Sequence, residues 1–302
     1  MLIPETVVLM VVVVGIPWLL LSFDPRHGVF GCMALTRLDC HLFRGDRAAH
    51  DVSSFVALNP EMEPSRMVFA GSSAARDSLG SQVAYRLAID YFVKGVEASY
   101  TPAQRAQPSG KNEEMAVKVL EEAFRSANSS VYSFGHKLSA GGRMAASLLG
   151  VVIQNGRLAT GRVGFGSVYL FRKNQLYPFF EAPEGEIEKI GDAREFPDDL
   201  AARKYSFVGT NSLVDVEMAS VELQGEDVIC AFSRPLTSLN ETLLFESLEA
   251  LIADGFPLVP QDDVAARLCH DVFTEPETIS YALVASVGPD VIYCARPIAS
   301  GF

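Results

Sequence analysis

Three short stretches of the sequence carry residue types that could do chemistry. Cys269, His270 and Asp271 supply a nucleophile, a base and an acid, but consecutive residues of a helix point in different directions and cannot form a proton relay. The glycines of 161–166 are of the kind that cradle phosphate, yet the segment lies between two predicted strands and no helix follows it. His136 is expected in a loop or at a helix end. These motifs are weak predictors of a catalytic centre.

The composition of the chain argues against two classes of protein. With 25 basic and 37 acidic residues, the formal net charge of the 302 residues is −12, whereas proteins that bind nucleic acid need clustered Lys and Arg. No nucleic-acid partner is expected. Hydrophobic residues make up 49% of the chain and charged residues 21%, so a sizeable core can form and disorder is not expected.

The cysteines point to a reducing compartment. Their number is odd, their spacing is irregular, and no pair has the CxxC spacing of a zinc site. We therefore expect reduced and mostly buried thiols rather than a disulfide framework. The five residues are Cys32, Cys40, Cys230, Cys269 and Cys294.

Residues 1–23 are predicted to be a transmembrane anchor. Val, Leu, Ile and Met dominate this stretch, and a helix needs ~20 mostly apolar residues to cross a bilayer. A buried apolar element and a cleaved signal peptide are the alternatives. A signal peptide normally begins with a basic region, and here Glu5 precedes the apolar run without any Lys or Arg.

The arginines that follow this apolar run predict its orientation. Because they follow the run and none precedes it, the positive-inside rule places the large C-terminal part on the cytoplasmic side of a membrane, or on its organellar equivalent, the mitochondrial matrix. Residues 24–44 are irregular in composition and are predicted to be a linker to one domain over 45–302. The chain is thus expected to be a single-pass membrane protein. The arginines are Arg26, Arg37, Arg44 and Arg47.

The rest of the chain combines strand and helix patterns. Asn155-Gly156 is a strong hairpin signal, and a second hairpin is predicted to turn at Lys173-Asn174. Because hairpins outnumber strand–helix–strand units, the fold class is predicted to be α+β with antiparallel sheets. Helices are predicted at 76–98, 113–130, 240–254 and 262–271. Strands are predicted at 54–58, 67–70, 145–153, 157–161, 167–171, 175–180, 214–223, 228–232, 281–287 and 291–294.

The order of these elements resembles the protein phosphatase 2C family, the metal-dependent Ser/Thr phosphatases. Residues 146–158 are similar to the apolar strand and hairpin at the centre of that family. Residues 163–167 resemble its valine-glycine-aspartate-serine stretch, with Phe165 in the place of the aspartate. Residues 221–236 resemble its strand that leads into serine-aspartate-glycine. The resemblance covers about residues 45–290 and implies a phosphatase 2C-like antiparallel β-sandwich flanked by helices.

The resemblance also implies where a metal centre would lie. In that family, aspartates at strand ends hold two Mg²⁺ or Mn²⁺ ions, which generate the hydroxide that attacks the phosphate. The aspartate-glycine position falls at Ser73, and the serine-aspartate-glycine position falls at Arg234. Arg47 resembles the phosphate-binding arginine of the family. The degenerate metal-site positions are Asp51, Ser73, Arg234 and Glu277, of which the first and the last keep an acid.

From these substitutions we predict a pseudophosphatase with no catalytic residue, no metal and no cofactor. The guanidinium of Arg234 could replace the charge of a metal ion by pairing with Asp51 or Glu277. The predicted function is a membrane-anchored scaffold or accessory subunit that binds protein partners in a membrane complex. The alternative is a divergent Ser/Thr phosphatase that needs Mg²⁺ or Mn²⁺, or a phosphopeptide-binding regulator, which keeps Arg47 and uses the two remaining acids.

Overall fold

A computed structural model describes ten segments of the chain. They are 38–44, 53–58, 66–75, 78–99, 112–138, 144–154, 156–180, 206–253, 264–276 and 279–288. None of the described helices combines the length and the hydrophobicity of a bilayer-spanning segment. The predicted anchor at 1–23 and the predicted strand at 291–294 lie outside the described residues.

Apart from an additional strand at 38–44, the described segments form strands and helices in the predicted order. The strands are β1 (Leu38–Arg44), β2 (Ser53–Leu58), β3 (Arg66–Ala74), β4 (Ala146–Gln154), β5 (Arg157–Val163), β6 (Ser167–Arg172), β7 (Gln175–Pro178), β8 (Glu217–Glu222), β9 (Val228–Phe232) and β10 (Tyr281–Val287). The helices are α1 (Leu79–Ser99), α2 (Asn112–Lys137), α3 (Ser238–Ala253) and α4 (Val264–Val272).

The strands pair into two antiparallel sheets. One sheet has the order β1-β10-β9-β6-β7, and the other has the order β2-β3-β4-β5-β8. The predicted α+β class with antiparallel sheets is therefore confirmed. The hairpin predicted at Lys173-Asn174 is also present, since both residues have positive φ, of 50° and 55°, as the tight turn between β6 and β7 requires.

The two sheets pack face to face, and a pair of helices covers the outer face of each. Phe69, Leu149, Ile229 and Leu283 belong to the buried layer between the sheets. Helices α1 and α2 pack against β3, β4 and β5, and helix α4 packs against β1 and β10. Helices α3 and α4 share a buried cluster with β6, β9 and β10. This is the layered sandwich that the resemblance implied.

The predicted linker at 24–44 is too long at its C-terminal end. Residues 38–44 form strand β1, which pairs with β10 from Leu38 opposite Val287 to Arg44 opposite Tyr281. The sequence reason is that Leu38, Cys40 and Leu42 alternate with the polar residues Asp39 and His41, a pattern typical of a strand. The domain therefore begins by residue 38.

One end of the sandwich, here called the front edge, gathers strand ends from both sheets. In the second sheet, β3 ends at Ala74 opposite Ala146, the first residue of β4, and β5 ends at Val163 opposite Leu148. A short turn over 164–166 then leads into the first sheet, where Ser167 of β6 pairs with Phe232 at the end of β9. Residues that lie at these strand ends, in either sheet, are therefore close to one another at the front edge.

Candidate functional site

The front edge holds the two predicted site residues that the structure describes. Ser73 lies near the end of β3, opposite Ser147 of β4. Arg234 follows Phe232 by two residues, directly after the end of β9. Their strands belong to different sheets of the sandwich, and both residues lie at the front edge.

The other three predicted site residues, Arg47, Asp51 and Glu277, lie outside the described residues. The strand ends around them are described. Strand β1 ends at Arg44 opposite Tyr281, and β2 begins at Ser53 opposite Ser73. These flanking residues belong to the front edge.

A cluster of serine hydroxyls occupies the position of the family's aspartate-glycine motif. The Ser72 hydroxyl donates to the carbonyl oxygen of Ser147 at 2.5 Å. The hydroxyls of Ser73 and Ser147 are 2.6 Å apart, and Ser147 Oγ also donates to the carbonyl oxygen of Ser73 at 3.3 Å. Ser72 and Ser147 are fully buried. The Ser73 and Ser147 hydroxyls therefore bond to each other across β3 and β4, the Ser72 hydroxyl bonds to the backbone of β4, and the described cluster contains no carboxylate.

Arg234 introduces a cation at the end of β9. Burial lowers the pKa of Arg234, and the carboxylate of Glu275 opposes this shift. A guanidinium nevertheless stays protonated in proteins, so the residue contributes a positive charge at neutral pH. Its backbone is fixed as well, because its carbonyl oxygen accepts a hydrogen bond of 2.9 Å from the hydroxyl of Ser167.

Tyr281 closes the space between the sheets next to these residues. Its ring lies so close to Gly71 that a Cβ at that position would be 2.4 Å from two ring carbons, so only glycine fits there. The ring also meets the edge of Phe69, with centroids 5.8 Å apart. Burial raises the pKa of Tyr281, which keeps the phenol protonated. Its buried hydroxyl makes no hydrogen bond to the described part of the chain.

We expect Tyr281→Phe to raise the free energy of unfolding by about 1 kcal/mol, because it removes a buried hydroxyl that has no partner and keeps the ring. Urea denaturation measures the change. Tyr169→Phe is the matched control: the Tyr169 hydroxyl donates to Glu241 at 2.8 Å, so its loss is expected to destabilise the domain by about 2 kcal/mol. A loss of stability in Tyr281→Phe would mean that its hydroxyl has a partner after all.

The Cys269-His270-Asp271 motif is not a catalytic relay in the structure. Cys269 is buried, whereas its two neighbours are exposed and Asp271 pairs with Arg267 at 3.8 Å. Cys230 is also buried, and neither of the two thiols forms a disulfide. Burial, and secondarily Cys269, raise the pKa of Cys230, so that thiol stays protonated and unreactive. The predicted reduced, buried thiols are confirmed for these two cysteines.

The glycine-containing segment at 161–166 is the end of strand β5 followed by the turn over 164–166. The guanidinium of Arg162 forms two hydrogen bonds to the Glu217 carboxylate, at 3.0 and 2.9 Å, and a third of 3.1 Å to the carbonyl oxygen of Gly166. It also lies over the ring of Phe180, 4.9 Å from its centroid. The site residue candidate His136 is exposed at the end of α2, where its ring contacts Tyr132. Neither feature forms a binding site.

The described part of the front edge does not fit a two-metal centre. Hard divalent cations bind mainly to carboxylate and carbonyl oxygens. Here the two described family positions carry a paired hydroxyl, Ser73, and a guanidinium, Arg234. No group of three or more His, Cys, Asp or Glu residues in the described segments is arranged to hold a metal ion.

Comparison with known proteins identifies the fold. No protein-family model matches the sequence, and no curated protein matches it. Solved structures of bacterial phosphatases do match. The Mycobacterium tuberculosis Ser/Thr phosphatase PstP/Ppp has 17% identity and a TM-score of 0.55, over 84% of this chain and 99% of that chain. The chain has the protein phosphatase 2C fold.

Two further structures agree with this assignment. PppA of Pseudomonas aeruginosa, described as a key regulatory component of T6SS, has 15% identity and a TM-score of 0.55, over 84% of this chain and 99% of that chain. The PPM Ser-Thr phosphatase MsPP of Mycobacterium smegmatis has 14% identity and a TM-score of 0.52, over 86% and 100%. The resemblance seen in the sequence is thus confirmed for the phosphatase 2C fold.

Several residues that form the front edge were not predicted from the sequence. Ser72 and Ser147 belong to the hydroxyl cluster, and Tyr281 fills the space between the sheets. Their partners lie far away along the chain, since Ser73 and Ser147 are 74 residues apart. The available signal was the pair of adjacent serines at the end of an apolar strand, where an aspartate and a glycine were expected.

Proposed function

We propose that this chain is a catalytically inactive phosphatase 2C-like domain that acts as a scaffold or accessory subunit of a membrane complex. The observation that carries the proposal is Arg234, which stands directly after β9 where the resemblance implies a metal-binding aspartate. Replacing a carboxylate by a guanidinium changes the local charge by two units and repels a divalent cation. Unit charges of the same sign at 4 Å repel by about 4 kcal/mol at an effective dielectric constant of 20.

The hydroxyl cluster supports the same proposal. A metal ion at Ser73 would have to break the 2.6 Å contact between the Ser73 and Ser147 hydroxyls, and among the described residues of this cluster it would gain only neutral ligands in return. Neutral hydroxyls without carboxylates hold Mg²⁺ or Mn²⁺ weakly, because these ions give up their water reluctantly.

Membrane anchoring is the second part of the proposal. It rests on the apolar stretch at 1–23, which would hold the domain beside a membrane complex and raise its effective concentration there. The proposed location is the cytoplasmic side of a membrane or the mitochondrial matrix. Partitioning of the intact chain tests this part: we expect it to require detergent, and a chain that stays in solution without detergent would contradict the anchor.

We expect the intact chain to show no saturable Mn²⁺ binding up to about 1 mM in calorimetry, and no turnover of a phosphopeptide. Arg234→Asp is expected to increase Mn²⁺ affinity at least about tenfold, because it replaces a repelling charge by a ligand. Arg267→Asp, an exposed residue of α4, makes the same change of charge away from the front edge and is expected to leave Mn²⁺ binding unchanged.

The alternative is a divergent phosphatase or a phosphopeptide-binding regulator. One observation favours it: the matching structures are of phosphatases, and one is described as the catalytic domain of PstP with two manganese ions. In this chain Arg47, Asp51 and Glu277 would then bind the phosphate or the metal. Micromolar Mn²⁺ binding with turnover by the unmodified chain would establish the phosphatase and refute the scaffold. Phosphopeptide binding without metal would establish the regulator.

A further inference from the structure

Strand β8 forms an open edge of the second sheet. It is the last strand in the order β2-β3-β4-β5-β8, so no described strand pairs with its outer side. The Leu223 N–H donates to the Gly156 carbonyl oxygen at 2.7 Å, which fixes the direction of the backbone groups in β8. Since backbone groups alternate sides along a strand, those of Ala219 and Val221 point to β5. Those of Met218, Ser220 and Glu222 point outward.

This edge lacks most of the features that protect edge strands. Natural sheets block their edges with proline, lysine, bulges or very short strands. Strand β7, at the edge of the other sheet, has only four residues and ends in Pro178. Strand β8 has six residues, contains neither proline nor lysine, and pairs with β5 without a bulge. Its four central residues, 218–221, are uncharged and only half-buried.

Both ends of β8 are acidic. The side chain of Glu217 is 51% exposed although it pairs with Arg162, and that of Glu222 is 57% exposed and 3.9 Å from Arg157. Asp215 lies just before the strand and is exposed as well. These two arginines lie on β5, and a third, Arg172, donates to the Glu222 carbonyl oxygen at 2.7 Å, but the two carboxylates remain about half exposed to solvent. A strand that adds to this edge therefore meets carboxylates at each end.

The charges argue against a second copy of the chain as the occupant. In an antiparallel pair of two β8 strands, outward-facing residues must lie opposite outward-facing residues, so a symmetric pairing places Ser220 opposite Ser220 and Glu222 opposite Met218 of the other copy. The acidic ends of the two copies then lie beside each other, and β8 itself supplies no cation to them. A partner strand with Lys or Arg near its ends would instead place opposite charges together.

We propose that the outer edge of β8 binds an extended segment of a partner protein as an added strand, with apolar or Thr residues at its centre and Lys or Arg at both ends. Backbone hydrogen bonds to both groups of Met218 and Ser220 and to the Glu222 N–H supply the attachment, since the Glu222 carbonyl oxygen already accepts from Arg172, and the flanking carboxylates supply the selectivity. The surface includes neither Ser73 nor Arg234, so the proposal goes beyond the scaffold function and does not depend on the loss of catalysis.

Hydrogen exchange on the intact chain tests the proposal with two synthetic peptides, Lys-Thr-Val-Thr-Val-Lys and Glu-Thr-Val-Thr-Val-Glu. We expect the Lys-ended peptide to slow exchange of the Met218, Ser220 and Glu222 amides, and added salt to weaken this effect. The Glu-ended peptide is expected to have no effect. Equal protection by both peptides, or no protection by the Lys-ended peptide at about 2 mM, would overturn the proposal.

Two variants locate the binding on β8. Ser220→Pro removes an outward N–H without removing a bond to β5, so the domain should fold while peptide affinity falls by about tenfold or more. Ser220→Ala keeps the N–H and is expected to bind like the unmodified chain. Glu222→Lys, which leaves the backbone unchanged, should weaken binding of the Lys-ended peptide and strengthen binding of the Glu-ended one.

Two further results of these experiments would overturn the proposal or one part of it. Peptide affinities that are equal in Ser220→Pro and Ser220→Ala would overturn the placement on β8. A concentration-dependent doubling of mass that Ser220→Pro abolishes would identify a second copy as the occupant and overturn the proposed partner. Mn²⁺ binding and turnover, measured on the same variants, report on the scaffold function separately, because none of these substitutions touches the front-edge residues Ser73 and Arg234.

Discussion

Replacing Asp227 with Ala is expected to lower the free energy of unfolding by about 3–5 kcal/mol, the largest loss of stability predicted for this domain. The Asp227 carboxylate is buried and forms a two-pronged ion pair with Arg172, with Nε–Oδ1 at 2.8 Å and Nη2–Oδ2 at 2.6 Å. Removing the carboxylate leaves the Arg172 guanidinium mostly buried without its counter-ion, which costs free energy. Only 17% of the Arg172 side chain is exposed, so water compensates little of this loss.

The effect is large also because Asp227 connects several strands. Its carboxylate accepts the Gln224 N–H at 2.7 Å, which fixes the turn from β8 to β9. Arg172 ends β6 and also donates to the carbonyl oxygen of Glu222 in β8, at 2.7 Å. The Asp227 backbone accepts the Val287 N–H of β10 at 2.8 Å. The variant therefore loosens the end of the sandwich opposite the front edge.

Urea denaturation of the intact chain in matched buffers measures this change. Glu222→Ala is the control, because it also removes a carboxylate near an arginine, but at 3.9 Å and with 57% of its side chain exposed. Exposed ion pairs contribute less than about 1 kcal/mol, so the control should unfold at nearly the same urea concentration as the unmodified chain. Similar losses in the two variants would contradict the central role of Asp227.

Local turn chemistry made the second half of the fold predictable from sequence. A two-residue hairpin needs positive φ at its turn, and Lys173-Asn174 lies between two short runs that are adjacent along the chain and pair with each other. Strand β1 was missed because its partner, β10, lies more than 200 residues away, and the short alternating segment gives no local signal of that pairing. Helix α2 was predicted to end at 130 but continues to Lys137, since Val131 prolongs its buried face.

The front edge was predictable only in part, for a similar reason. The resemblance located Ser73 and Arg234, because their positions relative to β3 and β9 are fixed along the chain. It could not reveal that Ser147 completes the hydroxyl cluster, since that contact depends on the register of β3 with β4. It also gave no reason to expect Tyr281 beside Gly71, because that contact depends on how the two sheets pack.

Replacing Gly209 with Ala is expected to destabilise the domain by about 3 kcal/mol. Gly209 has a φ of +89°, in the region that residues with a Cβ rarely adopt. An added Cβ would also lie 2.5 Å from the carbonyl oxygen of Met144 and 2.5 Å from a methyl group of Val131. Both neighbours are held in place, one by the backbone and one by the core, so the clash cannot relax cheaply.

The surroundings of Gly209 show what the strain would disrupt. Its N–H donates to the side-chain oxygen of the buried Asn128 at 2.9 Å, and the amide nitrogen of Asn128 donates to the carbonyl oxygens of Asn211 and Ser212. Next to it, Val208 and Ala146 exchange two backbone hydrogen bonds at the start of β4. A shift of Gly209 therefore pulls the segment before β8 away from α2 and from the front edge.

Gly135→Ala is the matched control, because both glycines pack against Met144 but differ in backbone conformation. Gly135 lies inside helix α2, where an added Cβ would make an ordinary contact of 3.4 Å with the sulfur of Met144. Alanine in a helix interior is favoured over glycine by about 0.5–1 kcal/mol, so this variant should gain stability while Gly209→Ala loses it. Thermal and urea unfolding measure both. If the two variants changed stability in the same direction, the strain at Gly209 would not be the cause.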